Sequence, residues 1–118
     1  MNAPTPLHVA CLCAAWCRTC DAYGPVFDAA VAELRAEHPG LQSRWIDIED
    51  EAELVGDYDI ETFPTLVVAD ATRVRFAGPL TPQPETLLRL LRVTLADGAA
   101  GPAPSPEVAA FAQRLRRL

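Results

Sequence analysis

The chain has 118 residues, enough for one domain with its own core and too few for two. Half of the residues are hydrophobic and 22% are charged, which excludes an intrinsically disordered chain. The net charge is −6 and every one of the ten basic side chains is arginine, so the basic face of a nucleic-acid binder is missing.

Met1 to Pro6 is a short, proline-containing lead-in. Leu7 to Ala15 is then an unbroken run of small and apolar residues apart from His8. No basic segment precedes it, and it is far shorter than the ~20 residues of a membrane span, so it reads as neither a secretory signal nor an anchor. It reads as a buried strand over about Leu7 to Cys13. Val26, Phe27, Ala30, Val31 and Leu34 then recur at helical spacing, and His38-Pro39-Gly40 stops the pattern. The helix is expected over about Cys17 to Glu37, kinked at its interior Pro25. A second strand is expected over Leu41 to Ile48, with Trp45 in the core, and a short helix between Asp50 and Tyr58.

Ile60 to Pro64 is a loop. Thr65 to Ala69 and Arg73 to Ala77 form a hairpin around Asp70-Ala71-Thr72. Thr81-Pro82 carries the N-cap and first-position proline of another helix, striped by Leu87, Leu88, Leu91 and Leu95. Residues 97–104 are Gly, Ala and Pro in the main and form a linker. Ser105-Pro106 repeats the cap, and Val108, Phe111, Ala112 and Leu115 stripe a last helix that is expected to pack back on the domain. Residues 1–96 are thus one α/β domain of order β-α-β-α-β-β-α, followed by the linker and a C-terminal helix over residues 105–118.

The chemistry concentrates in Trp16-Cys17-Arg18-Thr19-Cys20. Cys17 falls where a strand hands over to a helix. The unpaired N–H groups of a first helical turn favour the thiolate there, and Arg18 adds a full positive charge. A helix puts residues i and i+3 on one face with Cα atoms roughly 5–6 Å apart, a separation a disulfide tolerates. The spacing lets Cys17 attack a disulfide and Cys20 resolve the mixed disulfide. Cys11, Cys13, Cys17 and Cys20 together also offer four soft ligands in one segment, so a zinc or cluster site is an alternative. Against it, a strand that anchors a sheet cannot easily fold around one metal, and no metal site is expected. Cys11 and Cys13 share a strand face by parity and read as small buried hydrophobes. A remaining possibility is that one of them lies under Cys20, as its proton acceptor or its partner in an alternative disulfide. All four cysteines fall between positions 11 and 20, unlike a disulfide framework spread along a secreted chain, so a reducing, cytoplasmic setting is expected.

With that cysteine pair, Pro25 inside the same helix, and Phe63-Pro64-Thr65 before the third strand, residues 7 to 96 resemble the thioredoxin family. The resemblance implies a thioredoxin-like fold shortened at its N-terminus and a cis Phe63–Pro64 bond facing the cysteines. It implies substrate backbone pairing beside Pro64, with Trp16, Phe63 and Gly78 around Cys17 as the substrate-binding lip. It implies a protein-disulfide oxidoreductase whose only redox group is its own disulfide, with no cofactor. Its partners would be disulfide-bearing proteins and a thioredoxin-reductase-type electron donor, and the chain would act as a monomer. The family's common Gly-Pro between the cysteines is Arg18-Thr19 here, a buried aspartate is Cys11, and the aromatic two residues on is Cys13. Arg18, Thr19 and Cys11 are therefore the positions that would tune the couple. A third reading is a binding module that uses the fold as an adaptor, with the C-terminal helix as its docking element.

Overall fold

A strand without a polar face has to be covered on both sides, and Leu7–Cys13 is: all seven of its residues are buried. This is β1 in a computed structural model that describes residues 6–81, 83–96, 101 and 103–118. It is followed by α1 (Arg18–Glu37), β2 (Leu41–Asp47), α2 (Ala52–Val55), β3 (Thr65–Ala69), β4 (Val74–Pro79), α3 (Pro84–Leu95) and α4 (Pro106–Arg116). The sheet order is β2-β1-β3-β4. β1 runs parallel to β2, as the long α1 crossover requires, and antiparallel to β3, which turns back into β4. The lead-in over residues 1–5, Pro82, and residues 97–100 and 102 of the expected linker lie outside the described residues.

Strand parity splits the core into two layers. Leu7, Val9, Cys11 and Cys13 point to one face, where Tyr23, Phe27 and Leu34 of α1 and Leu87, Leu91 and Leu95 of α3 cover them. Ala10 and Leu12 point to the other, under Val55 of α2 and Val108, Phe111 and Leu115 of α4. His8 shares that second face. Burial, then the charge of Arg116, lowers its pKa and so favours its neutral form. The stripe of α4 is therefore consumed by the domain itself. Its start is capped by Ser105, whose hydroxyl accepts the Val108 N–H at 3.3 Å.

Four local details differ from the sequence reading. α3 begins at Pro84 with Gln83 as its N-cap residue, not at Thr81-Pro82. Pro84 bars the residue before it from helical backbone, and Gln83 is extended at φ −87°, ψ 136°. α2 is one turn, stopped by Gly56 at φ +61°. The Arg114 guanidinium finishes it by donating to the carbonyls of Leu54 (2.7 Å) and Val55 (3.0 Å). β4 starts at Val74, because the Arg73 carbonyl accepts the Asp70 N–H and belongs to the turn. Trp45 is partly exposed on the edge strand β2 rather than in the core, its ring centroid 6.0 Å from that of Phe27.

The β3–β4 turn is built on a buried carboxylate. Asp70 accepts the backbone N–H groups of Thr72 (2.8 Å) and Arg73 (2.7 Å) and the Arg75 Nε (3.0 Å). Arg75 also donates to the carbonyls of Thr94 and Ala96 at the end of α3, and Arg116 of α4 donates to the Asp70 carbonyl. Burial alone would raise the Asp70 pKa, but these donors outweigh it and hold the pKa at about 2, below the ordinary 3.8. A depressed carboxyl stabilises the fold above its unfolded pKa and loses that contribution as pH falls toward its folded one, here about 2 kcal/mol. Asp70→Asn is expected to lower stability at pH 7, with the gap to wild type narrowing as pH falls from about 5 to 2; a pH-independent gap in urea titrations would contradict the assignment. Phe111→Ala is expected to cost about 3–5 kcal/mol in the same measurement, because Phe111 is wholly buried under the sheet.

Candidate active site

The end of β1 and the start of α1 are joined by a short turn in which the Cys17 N–H donates to the Ala14 carbonyl at 3.0 Å. Cys17 is the N-cap residue of α1, extended at φ −90°, ψ 116°, and its side chain makes no capping hydrogen bond. Arg18 and Thr19 follow it and are exposed, whereas Cys20 points into the core and is 2% exposed. The first turn of α1 therefore presents one sulfur outward and one inward.

The bridge expected between Cys17 and Cys20 is not the one present. Cys20 is bonded to Cys13, their Cα atoms 5.9 Å apart, while Cys17 and Cys11 are free. The reason is parity. Cys13 ends β1 on the face that α1 covers, so its sulfur meets the buried side of the helix where Cys20 projects. Cys17 packs against the same cluster from its rim and keeps partial exposure. The sequence offered this pairing as an alternative, with Cys11 or Cys13 beneath Cys20, and the structure selects Cys13.

Cys11 lies two residues deeper on that face and is fully buried. Burial pushes its thiol up to about 12, so it is a neutral thiol at physiological pH and not the proton acceptor a carboxylate would be. Tyr23 of α1 is raised by burial and then by the negative charge Cys11 would carry, and its hydroxyl has no hydrogen-bond partner among the described residues. The floor of the site is consequently buried and uncharged, with the Tyr23 hydroxyl as an unpartnered polar group among the described residues. Among the described residues no group of three or more His, Cys, Asp or Glu is arranged to hold a metal, and two of the four sulfurs of the alternative cluster are bonded to each other.

The lip is partly assembled. The Trp16 and Phe63 rings meet edge to face, centroids 5.5 Å apart at 88°. The indole N–H of Trp16 donates to Glu49 at 2.8 Å, which holds an otherwise exposed ring in place. Nothing in the sequence pattern singled out Glu49. The Phe63–Pro64 bond is cis. Pro64 leads directly into β3, whose Thr65 pairs with Leu12, the residue before Cys13. The Pro64 carbonyl accepts the Leu80 N–H at 3.1 Å, so an incoming strand would have to use the backbone on the Phe63 side. Gly78 pairs with Leu66, which pairs with Cys11, so it sits in the sheet two strands from β1.

A family model described as Thioredoxin matches residues 2–84. A protein disulfide-isomerase from Arthroderma benhamiae is 36% identical over 55 residues, which is 47% of this chain and 10% of that protein. The chain thus spans about a tenth of the length of this curated relative. Among solved structures, Fasciola hepatica thioredoxin superposes with a TM-score of 0.61 at 20% identity, covering 75% of this chain and 81% of that one. The first two thioredoxin domains of Saccharomyces cerevisiae Eps1p give a TM-score of 0.65 at 19% identity, covering 84% of this chain and 43% of that one. At such identities the likeness to the two structures is one of fold.

Because Cys17 is the free thiol with access to solvent and Cys11 is sealed under the helices, N-ethylmaleimide is expected to label the native, oxidised chain once, at Cys17, and to reach Cys11 only after unfolding in guanidinium. Label at Cys11 under native conditions would mean that the floor of the site is open.

Proposed function

The chain belongs to the thioredoxin family, and on that footing we propose that it is a thiol–disulfide oxidoreductase acting on disulfides of other proteins. The observation that carries this reading is the free, partly exposed Cys17 sulfur at the mouth of α1, one helical turn ahead of a sulfur already engaged in a disulfide. Cys17 is the N-cap residue of α1 and its sulfur is tied up in neither a capping hydrogen bond nor a disulfide, which leaves it available as the entering nucleophile. In the fully reduced chain the Cys17 thiolate attacks one sulfur of a substrate disulfide and expels the other as a thiolate. Cys20 then attacks Cys17, and the substrate leaves with both sulfurs reduced. The chain is left two electrons poorer, with the pair bridged, and an external dithiol of the thioredoxin-reductase type restores it.

The remaining residues supply the surroundings. The Trp16–Phe63 pair gives an apolar edge on which an extended segment can lie, and the backbone before Pro64 can pair with it. Gly78 keeps one strand of the sheet free of a side chain near that end. Arg18 and Thr19 border the attacking sulfur and are the positions through which the couple is tuned. The chemistry needs no group beyond the protein's own sulfurs. A monomer in a reducing, cytoplasmic setting suits it, and no described helix is long and apolar enough to cross a membrane. The adaptor reading has less support, because the apolar stripe of α4 is already spent on the sheet.

Insulin reduction driven by dithiothreitol tests the proposal. Wild type is expected to accelerate precipitation of the insulin B chain. Cys17→Ser is expected to lose at least a hundredfold of that rate, and Cys20→Ser to accumulate a mixed disulfide at Cys17 visible by mass. A wild-type rate no faster than dithiothreitol alone would sink the reading.

A further inference from the structure

Cys20 has two possible partners, an outer one and an inner one. Cys17 is three residues before it on the rim of the helix, and Cys13 is bonded to it from below. Cys13 and Cys20 are 1% and 2% exposed, so that bond is closed to any large thiol or disulfide, while Cys17 is accessible. The structure thus holds an oxidised site whose outermost sulfur is still a free thiol.

Resting on the activity proposed above, we propose that Cys13 is a third redox residue, which takes the disulfide over from Cys17 and moves it into the core. Once substrate has left a Cys17–Cys20 bridge, the Cys13 thiolate attacks the Cys20 sulfur. The Cys13–Cys20 bond forms, the Cys17–Cys20 bond breaks, and Cys17 departs as a thiolate. No electrons enter or leave in this step, and the proton released by Cys13 ends on Cys17 or in solvent. The direction follows from solvation. A disulfide carries no charge, so it suits the buried, uncharged floor beside Cys11 and Tyr23, whereas a thiolate is better placed where water reaches it, as at the partly exposed Cys17. Reduction runs the same steps backward: Cys17 attacks Cys20, Cys13 leaves, and the re-exposed outer bridge is opened by an external thiol.

The consequence is a change in what the oxidised form can do. A two-cysteine site is inert as a nucleophile once oxidised. Here Cys17 regains its thiol while the oxidising equivalents stay stored behind it, so the oxidised chain can still capture a substrate disulfide. Cys20 is occupied at that moment, and the captured substrate is held until one of its own thiols attacks the substrate sulfur of the mixed disulfide and expels Cys17 as a thiolate. The class of substrate that fits is a protein carrying several cysteines, because it can supply that displacing thiol itself.

The three sulfurs can be told apart by proteolysis, since cleavage after Trp16 and Arg18 places Cys13, Cys17 and Cys20 on separate peptides. The reduced full chain is oxidised with oxidised glutathione, labelled with N-ethylmaleimide, unfolded, labelled with a heavier maleimide and digested. The expected result is a peptide cross-link between Cys13 and Cys20 with the first label on Cys17. In Cys13→Ala the cross-link is expected to move to Cys17–Cys20, with at least a tenfold loss of label on Cys17. In Cys17→Ser, formation of the Cys13–Cys20 link by glutathione is expected to slow at least tenfold, because the inner pair is reached only through Cys17. A Cys17–Cys20 link in the wild type overturns the proposal. So does a Cys13–Cys20 link that forms equally fast without Cys17, which would make it a fixed structural bridge. Insulin reduction by the wild type reads the parent activity separately: turnover with the bridge at Cys17–Cys20 overturns the transfer alone, and transfer without turnover overturns the activity alone.

Discussion

Everything at the site depends on β1 being buried on both faces. Alternation along such a strand leaves no residue neutral: each side chain belongs to one helical layer or the other. Val9, Cys11 and Cys13 are committed to the layer of α1 and α3, and Ala10 and Leu12 to the layer of α2 and α4. A slip of one residue in register with β2 or β3 would send the sulfurs to the wrong side and put Leu12 under the helix that carries Cys20. The position of the inner sulfur is therefore fixed by the whole sheet rather than by the loop that carries the partly exposed one. The loop has only to turn within four residues, which the Cys17 N–H bond to the Ala14 carbonyl achieves.

The second layer explains how so short a sheet is kept covered. α4 closes the face that Ala10, Leu12, Val67 and Ala69 would otherwise expose. Apolar contact sets it there, and arginines fix its register. Arg114 completes the one-turn α2, and Arg116 reaches the Asp70 carbonyl at the hairpin turn. Arg75 does the same for the end of α3 while it neutralises Asp70. A guanidinium has five donors in a rigid, spread fork and stays charged, so Arg75 can hold two carbonyls on one side and a carboxylate on another in fixed directions. In a chain without lysine, these arginines join helices to turns across the fold.

Much of this was legible in the amino-acid sequence. Periodicity and turn residues placed β1, α1 and β3 to within a residue, because each has one strong pattern and a clear stop. Where two cues competed, the local rule nearest the backbone won. Thr81-Pro82 looked like a helix start, but Pro84 forced Gln83 out of helical backbone and moved the start on. Trp45 was expected in the core, yet it belongs to the edge strand β2 and is partly exposed beside α1. At the site, the strand–turn–helix setting of Cys17 was legible because strand, turn, cysteine and helix follow one another in the chain. The Trp16–Glu49 bond and the Cys13–Cys20 pairing join segments whose proximity exists only once the sheet is assembled.

That last distinction bears on how the sulfurs divide their work. Three cysteines within eight residues would be interchangeable in an unfolded chain, where spacing alone would set their pairing. Folding separates them by depth: Cys17 at the rim, Cys20 one turn inside, Cys13 on the sheet beneath. Thiol–disulfide exchange needs an entering sulfur, a central sulfur and a leaving sulfur, and each exchange moves the bond by one position. A single sulfur flanked on both sides is the least that permits the bond to be handed from surface to core without a free electron carrier. Cys20 is the residue that meets this condition, because the helix sets its distance to Cys17 and the sheet sets its distance to Cys13. Cys11, equally buried and on the same face, is left with a thiol whose charge the surrounding core opposes, so the proposed exchange has three participants rather than four.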